Sequence, residues 1–517
     1  MVIDLIIVLL YFIIVFVIAI SGKGGKDISK EEYFLSSRNL KWYSVAISTI
    51  ATNVQGYQFL GMAGSAYLYG FAQANFEFNA ITGLWMAAFI FVPLYLRDKV
   101  YTITQFIKSR MGEPIALLYS VANIILFSTI GLGAALFWGA YAADLVFGDY
   151  MSLISEDSFQ RITILIIALG LFSAAYTYFG GLSAVVRTDI IQFSILLIGG
   201  IVVMLVALHQ LGGWTELYNK VPEKMHLHLP ANHEKLPWVC IIGLFFLNIN
   251  YWCANQSIIQ RSLAAKSLQH AQVGLLVGGL MKVFMGFVIV IPGIALAGIL
   301  GAKGLADPDE AFPYLVTNYL PMGIRGIILC ALFASLMSTV DSLYNSLATL
   351  FSIDIYKGYI KKEASDKEMV AAGRYTILAT LFTGILVGVI LLNAKLSDTK
   401  VSFTHTLNEL RYYVNTSIVV IICASSFLLK PNKWLAFTGI LLTATIYASM
   451  KYFTPDVNYW LRVIYAISSG FLLIAVPTII KNGFKDWRSY IQLTNKTVSW
   501  FGWGLLILLL MIHFVWH

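Results

Sequence analysis

Charged side chains are scarce in this chain: Asp, Glu, Lys and Arg together make up 12% of its 517 residues. Cysteine is rarer, and Cys240, Cys253, Cys330 and Cys423 show no metal-ligand spacing, which argues against a disulfide framework or a zinc site. No long linker or low-complexity tract interrupts the sequence. The remainder is apolar, with 58% hydrophobic residues and a mean hydropathy of +0.76. This composition predicts an integral membrane protein with a single transmembrane domain over residues 1–517.

Apolar segments of about 20 residues, the length that crosses a hydrocarbon core, recur along the whole chain. A membrane barrel would instead show short alternating segments, so we predict an all-α polytopic protein. We expect fourteen spans, beginning near residues 3, 42, 75, 115, 160, 183, 236, 270, 324, 369, 401, 434, 460 and 498. The first run has no basic start and no Ala-x-Ala exit, and is therefore interpreted as a mature helix and not as a signal peptide.

Basic residues collect in every second loop, for example at 23–41, at 97–110 and, as Arg261 and Lys266, after the seventh span. Because basic loops stay cytoplasmic, this alternation places both termini outside the cell or inner membrane. The net charge of +8 is explained by the same loops, so we do not interpret it as a nucleic-acid-binding surface. Lipid is the expected environment. The sequence does not indicate the oligomeric state.

Two predicted spans are interrupted by amides. The stretch IATNVQGYQFLG at 50–61 carries Asn53, Gln55 and Gln58, and LFFLNINYWCANQ follows at 244–256 about five spans later. A five-helix unit repeated in sequence is inserted upside down the second time, which brings corresponding interrupted helices together near the bilayer midplane. Backbone carbonyls in an unwound segment can hold a cation, and amide side chains beside them can bind a polar solute. Amides also join membrane helices for purely structural reasons, which is the alternative interpretation.

Two charges stand inside apolar spans, Glu77 and Lys282. Each would cost roughly 2.5 to 3.5 kcal/mol at a helix centre, so both are expected to face a cavity or a partner. A carboxylate, an ammonium and neighbouring amides suit sugar hydroxyls, which both donate and accept hydrogen bonds. In the ninth span, Ser338 and Thr339 offer adjacent hydroxyl oxygens for a hard cation such as sodium. Asp189 is either a favourable acid in the first turn of a helix or a second cation position.

Several longer stretches carry a family resemblance: EEYFLSSRNLKWYSVAISTIATN, FGGLSAVVRTDIIQ, NYWCANQSIIQRSLAAKS, LPMGIRGIILCALFASLMST and NSLATLFSIDIYKGYI. Over nearly its full length the chain resembles the sodium/solute symporter family, and within it the sodium/glucose (galactose) cotransporter branch. The resemblance implies a LeuT-like core of two inverted five-helix repeats, here about 42–209 and 236–428. A leading helix at about 3–20 and trailing helices at about 434–515 complete the expected organisation.

The resemblance also implies roles for individual residues. A sodium site would use the carbonyls of Ala51, Val54 and Ser335 with the hydroxyls of Ser338 and Thr339, and Asp189 matches the acidic residue associated with cation coupling. From this sequence itself, Asp341 and Ser342 are added as candidates for the same second cation or coupling position. The implied sugar-binding residues are Asn53, Gln58, Glu77, Asn248, Lys282 and Asn408, with Tyr251 as an inner gate. The chain departs from the family at Asn408, where a glutamine is usual, and at Asp341, where many sugar carriers have a neutral residue. Asp341 is expected either to pair with Arg411 or to join a cation site.

These observations predict a sodium-coupled symporter that imports a monosaccharide such as galactose or glucose. A carrier for myo-inositol, sialic acid or another polyol is the alternative, and coupling to protons in place of sodium remains open. A non-transporting sugar sensor is a weaker alternative, because no signalling domain is attached. No nucleophile with a positioned base is found among the spans, so we do not expect an enzyme.

Overall fold

The computed structural model describes residues 2–21, 28–55, 58–152, 155–301, 304–397, 403–484 and 495–517. These residues are almost entirely helical, and their only β-type pairings are two isolated bridges, Leu40 with Ala265 and Leu229 with Pro237. The prediction of an all-α polytopic protein is therefore confirmed.

The α-helices of the first half are α1 (Val2–Ile20), α2 (Lys30–Leu35), α3 (Trp42–Asn53), α4 (Ala63–Tyr69), α5 (Asn75–Phe78), α6 (Ala80–Met86), α7 (Val92–Arg97), α8 (Ile103–Met111), α9 (Glu113–Leu126), α10 (Leu132–Met151), α11 (Ser158–Leu211) and α12 (Trp214–Lys220). Those of the second half are α13 (Cys240–Asn248), α14 (Gln256–Leu263), α15 (Leu268–Leu300), α16 (Ala311–Tyr319), α17 (Ile324–Leu350), α18 (Asp366–Ser397), α19 (Phe403–Phe427), α20 (Lys433–Phe453), α21 (Tyr459–Asn482) and α22 (Lys496–Val515). Short π-helical segments include Gln58–Met62, Ile249–Ala254 and Phe351–Ile360.

Within the described ranges, ten helical segments are long and apolar enough to cross a membrane. The count of fourteen spans is not confirmed. One reason is that the spans predicted to begin near 160 and 183 are joined without a loop in one 54-residue segment, α11, in which Gly181 interrupts the helical backbone between two helices. Another is that the span predicted near 236 is a shorter apolar helix, Cys240–Ala254. The extent of the two repeats stays a prediction.

Both amide-rich helices are interrupted, as the sequence predicted. Helix α3 ends at Asn53, and Val54 is extended with φ −77° and ψ 96°, before helical structure resumes at Gln58. Helix α13 passes into a π-helical turn and Asn255 is extended with φ −88° and ψ 116° before α14 begins. Each interruption releases backbone polar groups that need partners inside the protein, because lipid supplies none.

Helix α17 lies at the centre of the bundle, with every residue from Ile328 to Leu350 buried. It packs against α10, α11 and α3, and α15 packs against α3, α4 and α11. A helix buried on all sides can place polar groups away from lipid, so the hydroxyls and the carboxylate of α17 face other helices or the interior of the bundle.

Gly181 marks the bend of α11, with φ +54°. A Cβ at this position would lie 2.3 Å from the carbonyl oxygen of Tyr33. We expect Gly181→Ala to destabilise the protein by about 2 kcal/mol or more, because it combines a left-handed backbone with a steric clash. Thermal unfolding of the purified protein in detergent measures the effect. Gly483→Ala is the control, since Gly483 has φ +76° but a Cβ added there would meet no atom within 4 Å; equal losses in the two variants would argue against the clash.

Candidate binding site

A cavity of about 180 Å³ lies between the two interrupted helices. Most of the predicted solute-binding residues line it, together with residues of α9 and α19. Its polar lining comprises Thr52, Asn53, Gln55, Gln58, Glu77, Asn123, Asn248, Asn250, Tyr251, Asn255, Ser257, Lys282, Thr339, Arg411, Tyr412 and Asn415. Amides, hydroxyls and charges of both signs therefore surround one space, which can meet both the donors and the acceptors of a polar solute.

The two intramembrane charges contact each other on one wall of this cavity. Lys282 forms an ion pair with Glu77 Oε2 and donates a second hydrogen bond to Asn53 Oδ1 at 2.6 Å. Gln58 Nε2 donates to the other carboxylate oxygen, Glu77 Oε1, at 2.9 Å. Glu77 and Lys282 are each 1% exposed. Pairing with good hydrogen bonds is what makes two buried charges tolerable in a low-dielectric interior.

Tyr251 and Asn248 belong to the second interrupted helix and contact residues of α3 and of the turn between α5 and α6. Asn53 Nδ2 donates to the Tyr251 hydroxyl at 3.0 Å, so the predicted gate is tied to a predicted solute-binding amide. Asn248 Nδ2 donates to the carbonyl of Asn79 at 2.8 Å. Asn408, the remaining predicted solute residue, lies on α19 outside the side chains that the structure describes.

Hydroxyls of α17 meet the carbonyls at the first interruption. Ser335 Oγ donates to the carbonyl of Val54 at 2.8 Å, and Thr339 Oγ1 contacts the carbonyl of Thr52 at 3.2 Å. In a continuous helix the carbonyl of Ala51 would accept from the N–H of Gln55. That N–H instead donates to Gln58 Oε1 at 2.8 Å. The interruption therefore concentrates carbonyl and hydroxyl oxygens between α3 and α17, a donor set of the kind that hard cations prefer.

Asp189 lies on α11 beside this oxygen cluster and is fully buried. It accepts hydrogen bonds from Ser338 Oγ at 2.5 Å and from Ser48 Oγ. The guanidinium of Arg261 is 3.9 Å from Asp189 Oδ2 and also donates to Ser48 and to Ser342. One carboxylate and one guanidinium are thus joined through serine hydroxyls.

Asp341 does not contact Arg411. Its carboxylate accepts from the Tyr176 hydroxyl and from Thr177 Oγ1 at 3.3 Å, both on α11. Arg411 lines the central cavity instead. Ser342, next to Asp341 in sequence, contacts Thr52 Oγ1 at 2.8 Å and so belongs to the oxygen cluster around the first interruption.

The second interruption is satisfied differently, by buried tyrosines. The Tyr95 hydroxyl donates to the carbonyl of Cys253 at 2.8 Å, and the Tyr119 hydroxyl donates to the carbonyl of Ala254 at 2.6 Å. Both tyrosine side chains are fully buried. The carbonyls at the second interruption therefore accept hydrogen bonds from large tyrosine side chains that are fixed in place. The carbonyls at the first interruption contact small serine and threonine hydroxyls, whose lone pairs can also face an ion.

We expect Tyr119→Phe to lower stability by about 1 to 3 kcal/mol, because the buried carbonyl of Ala254 would lose its donor. Thermal unfolding in detergent measures the loss. The matched control is Tyr344→Phe, since the equally buried Tyr344 hydroxyl makes only a 3.5 Å contact with the carbonyl of Gly170. A smaller loss for Tyr119→Phe than for Tyr344→Phe would contradict this assignment.

The sequence prediction missed three residues that the structure places at the site. Arg261 was counted as a basic loop residue, yet it is fully buried against Asp189. Arg411 was considered only as a partner for Asp341. Tyr119 carried no signal at all, because a tyrosine in an apolar helix is ordinary; its role depends on which carbonyl lies opposite it.

The sequence profile of the sodium:solute symporter family matches residues 33–443. The chain is 29% identical over 484 residues to the sodium/glucose cotransporter of Vibrio parahaemolyticus, covering 88% of this chain and 86% of that protein. It is 31% identical over 417 residues to the sodium/myo-inositol cotransporter of Bos taurus, covering 72% of this chain and 56% of that protein. The solved structure of a sodium-coupled sialic acid symporter in a substrate-bound outward-open state superposes with a TM-score of 0.80 at 19% identity, covering 93% of this chain and 99% of that one.

Proposed function

Because the chain belongs to the sodium:solute symporter family, we propose that it imports a monosaccharide such as galactose or glucose by sodium-coupled alternating access. It is a membrane transporter and not an enzyme. The finer assignment, to a sugar, is supported by the cavity in which Glu77, Lys282, Asn53 and Gln58 form one hydrogen-bonded wall. A sugar hydroxyl can take the place of either the donor or the acceptor in a hydrogen bond of this wall, because a hydroxyl both donates and accepts hydrogen bonds.

The proposed sodium site lies between α3 and α17. It would be formed by the carbonyls of Ala51, Val54 and Ser335 and by the hydroxyls of Ser338 and Thr339. The contacts of Ser335 with Val54 and of Thr339 with Thr52 support it, since they bring oxygens of both helices together. A second cation or coupling position is proposed at Asp189, Asp341 and Ser342.

Sodium held between α3 and α17 would join the two repeats in the outward-facing state and so raise solute affinity. Coupling of this kind is worth about 1 to 3 kcal/mol. The membrane potential adds roughly 2.3 kcal/mol per charge per 100 mV, which lets inward sodium movement concentrate a neutral solute. Release toward the cytoplasm would require Tyr251 to leave Asn53. The protein is proposed to act in the plasma or inner membrane with both termini outside.

The decisive experiment is uptake of radiolabelled galactose into proteoliposomes with an imposed sodium gradient. We expect accumulation above equilibrium that vanishes when potassium replaces sodium on both sides. Competition by glucose, myo-inositol and sialic acid ranks the solutes, and myo-inositol is included because of the Bos taurus relative. Uptake without sodium that follows an imposed pH gradient would assign proton coupling. Binding without accumulation would favour a sensor.

A further inference from the structure

The charges that line the central cavity do not balance. Among the residues that the structure describes, three charged ones line it: Glu77, Lys282 and Arg411. Both oxygens of Glu77 are engaged, Oε1 by Gln58 and Oε2 by Lys282, so this carboxylate already neutralises one cation. Arg411 is the second cation. The described part of the cavity wall therefore carries one positive charge that no lining carboxylate neutralises.

Arg411 has no partner of its own among the described residues. It lies on α19, half-buried, beside Tyr412 and Asn415, which line the same cavity. It makes no hydrogen bond or ion pair with a described side chain, and the nearby acid of the same helix, Glu409, is paired with Lys451 at 2.7 Å. The fully buried guanidinium of Arg261, by contrast, is hydrogen-bonded to serines next to Asp189.

An unpaired guanidinium in a cavity within the membrane favours an anionic occupant. Ionisable residues inside membrane domains generally face a partner or a solute pathway. Arginine stays charged, and its planar fork matches a carboxylate with two parallel hydrogen bonds.

We propose that the solute is an acidic monosaccharide whose carboxylate binds Arg411, while its hydroxyls meet the wall formed by Asn53, Gln58, Glu77 and Lys282. This assignment depends on the proposed function of sodium-coupled monosaccharide import and changes the preferred solute from a neutral sugar to an acidic one, so that galactose becomes the weaker solute. A carboxylate fits better than a phosphate ester, because a phosphate brings about 1.5 to 2 negative charges to a cavity with one charge to neutralise. Arg411 is thus a specificity-determining residue, and a neutral hexose would leave its charge unpaired.

The test compares an acid with its neutral ester. Proteoliposomes with an inward sodium gradient take up radiolabelled galacturonate, and unlabelled galacturonate, its methyl ester, galactose and galactose 1-phosphate compete. We expect galacturonate to compete at least 10-fold better than its methyl ester. In Arg411→Gln the apparent affinity for galacturonate should fall roughly 10- to 100-fold, as expected for the loss of a charge-assisted bidentate contact. The affinity for the methyl ester should change less than 3-fold, and Arg411→Lys should be intermediate.

Two controls keep the outcomes distinct. Arg97→Gln removes an arginine whose side chain is 51% exposed and should leave both competitors unchanged. Retained uptake of the ester or of galactose shows that Arg411→Gln is folded. Equal competition by acid and ester, or an unchanged galacturonate affinity in Arg411→Gln, overturns the inference, as does stronger competition by the phosphate. Sodium-driven galactose uptake with no response to galacturonate would overturn it while the proposed function stands; no sodium-driven uptake of any sugar overturns both.

Discussion

Replacement of Lys282 by methionine is expected to lower sodium-driven uptake by about two to three orders of magnitude. The variant keeps the length of the side chain but leaves Glu77 buried without its cation, and breaking such a pair costs about 3 to 5 kcal/mol. It also removes the donor to Asn53 Oδ1, so one wall of the cavity loses two of its contacts. Initial uptake rates in proteoliposomes, over a range of solute and sodium concentrations, measure the loss.

The second variant in this experiment carries both Lys282→Met and Glu77→Gln. Removing both charges should restore much of the thermal stability, because no unpaired charge remains, but it should not restore uptake. Lys395→Met is the matched control. Lys395 is also 1% exposed and pairs with Asp309 at 3.4 Å and with Asp307 at 3.8 Å, away from the residues that line the cavity. We expect it to lose stability but to keep its solute affinity. Unchanged uptake kinetics in Lys282→Met would make Lys282 a purely structural residue.

Glu77 and Lys282 could be predicted from the sequence because a charge within an apolar span has few alternatives to a partner or a cavity. The same reasoning applies to the amides of the two interrupted helices, since lipid offers them no hydrogen bonds. The fold follows from the same constraints: span length and the spacing of the interruptions limit the arrangements that satisfy the backbone. The number of spans was harder to predict, because two spans can follow each other without a loop, as the two helices of α11 do at Gly181.

Arg261 could not be predicted in its observed place. The count of basic residues considers only their order along the chain. Arg261 follows the second interrupted helix at a position where a loop was expected, so it was assigned to a loop. The structure has that residue on α14, a short helix that is buried along its whole length. Whether its guanidinium turns inward depends on Asp189, which is 72 positions earlier in sequence. Such a pairing is set by how α11 and α14 pack, which local sequence does not reveal.

We expect Arg261→Met to destabilise the protein by about 3 to 5 kcal/mol, because Asp189 would stay buried without its counter-charge. Ser48 and Ser342 would lose their guanidinium contacts as well. Thermal unfolding in detergent, measured with and without sodium, gives the effect. Since Ser338 donates to Asp189, the half-saturating sodium concentration for uptake should also change, whereas solute affinity at saturating sodium should change less.

A double-mutant cycle separates the charge effect from lost packing. Adding Asp189→Asn to Arg261→Met removes the unpaired carboxylate, so the double variant should be more stable than Arg261→Met alone even though it contains one more substitution. Asp189→Asn alone should also be destabilising, because Arg261 would then be the unpaired charge. If the two losses simply add, the ion pair contributes nothing and the 3.9 Å separation of the charges is incidental. If they compensate, the buried pair links α11 to α14, and the oxygen cluster between α3 and α17 depends on that link for its geometry.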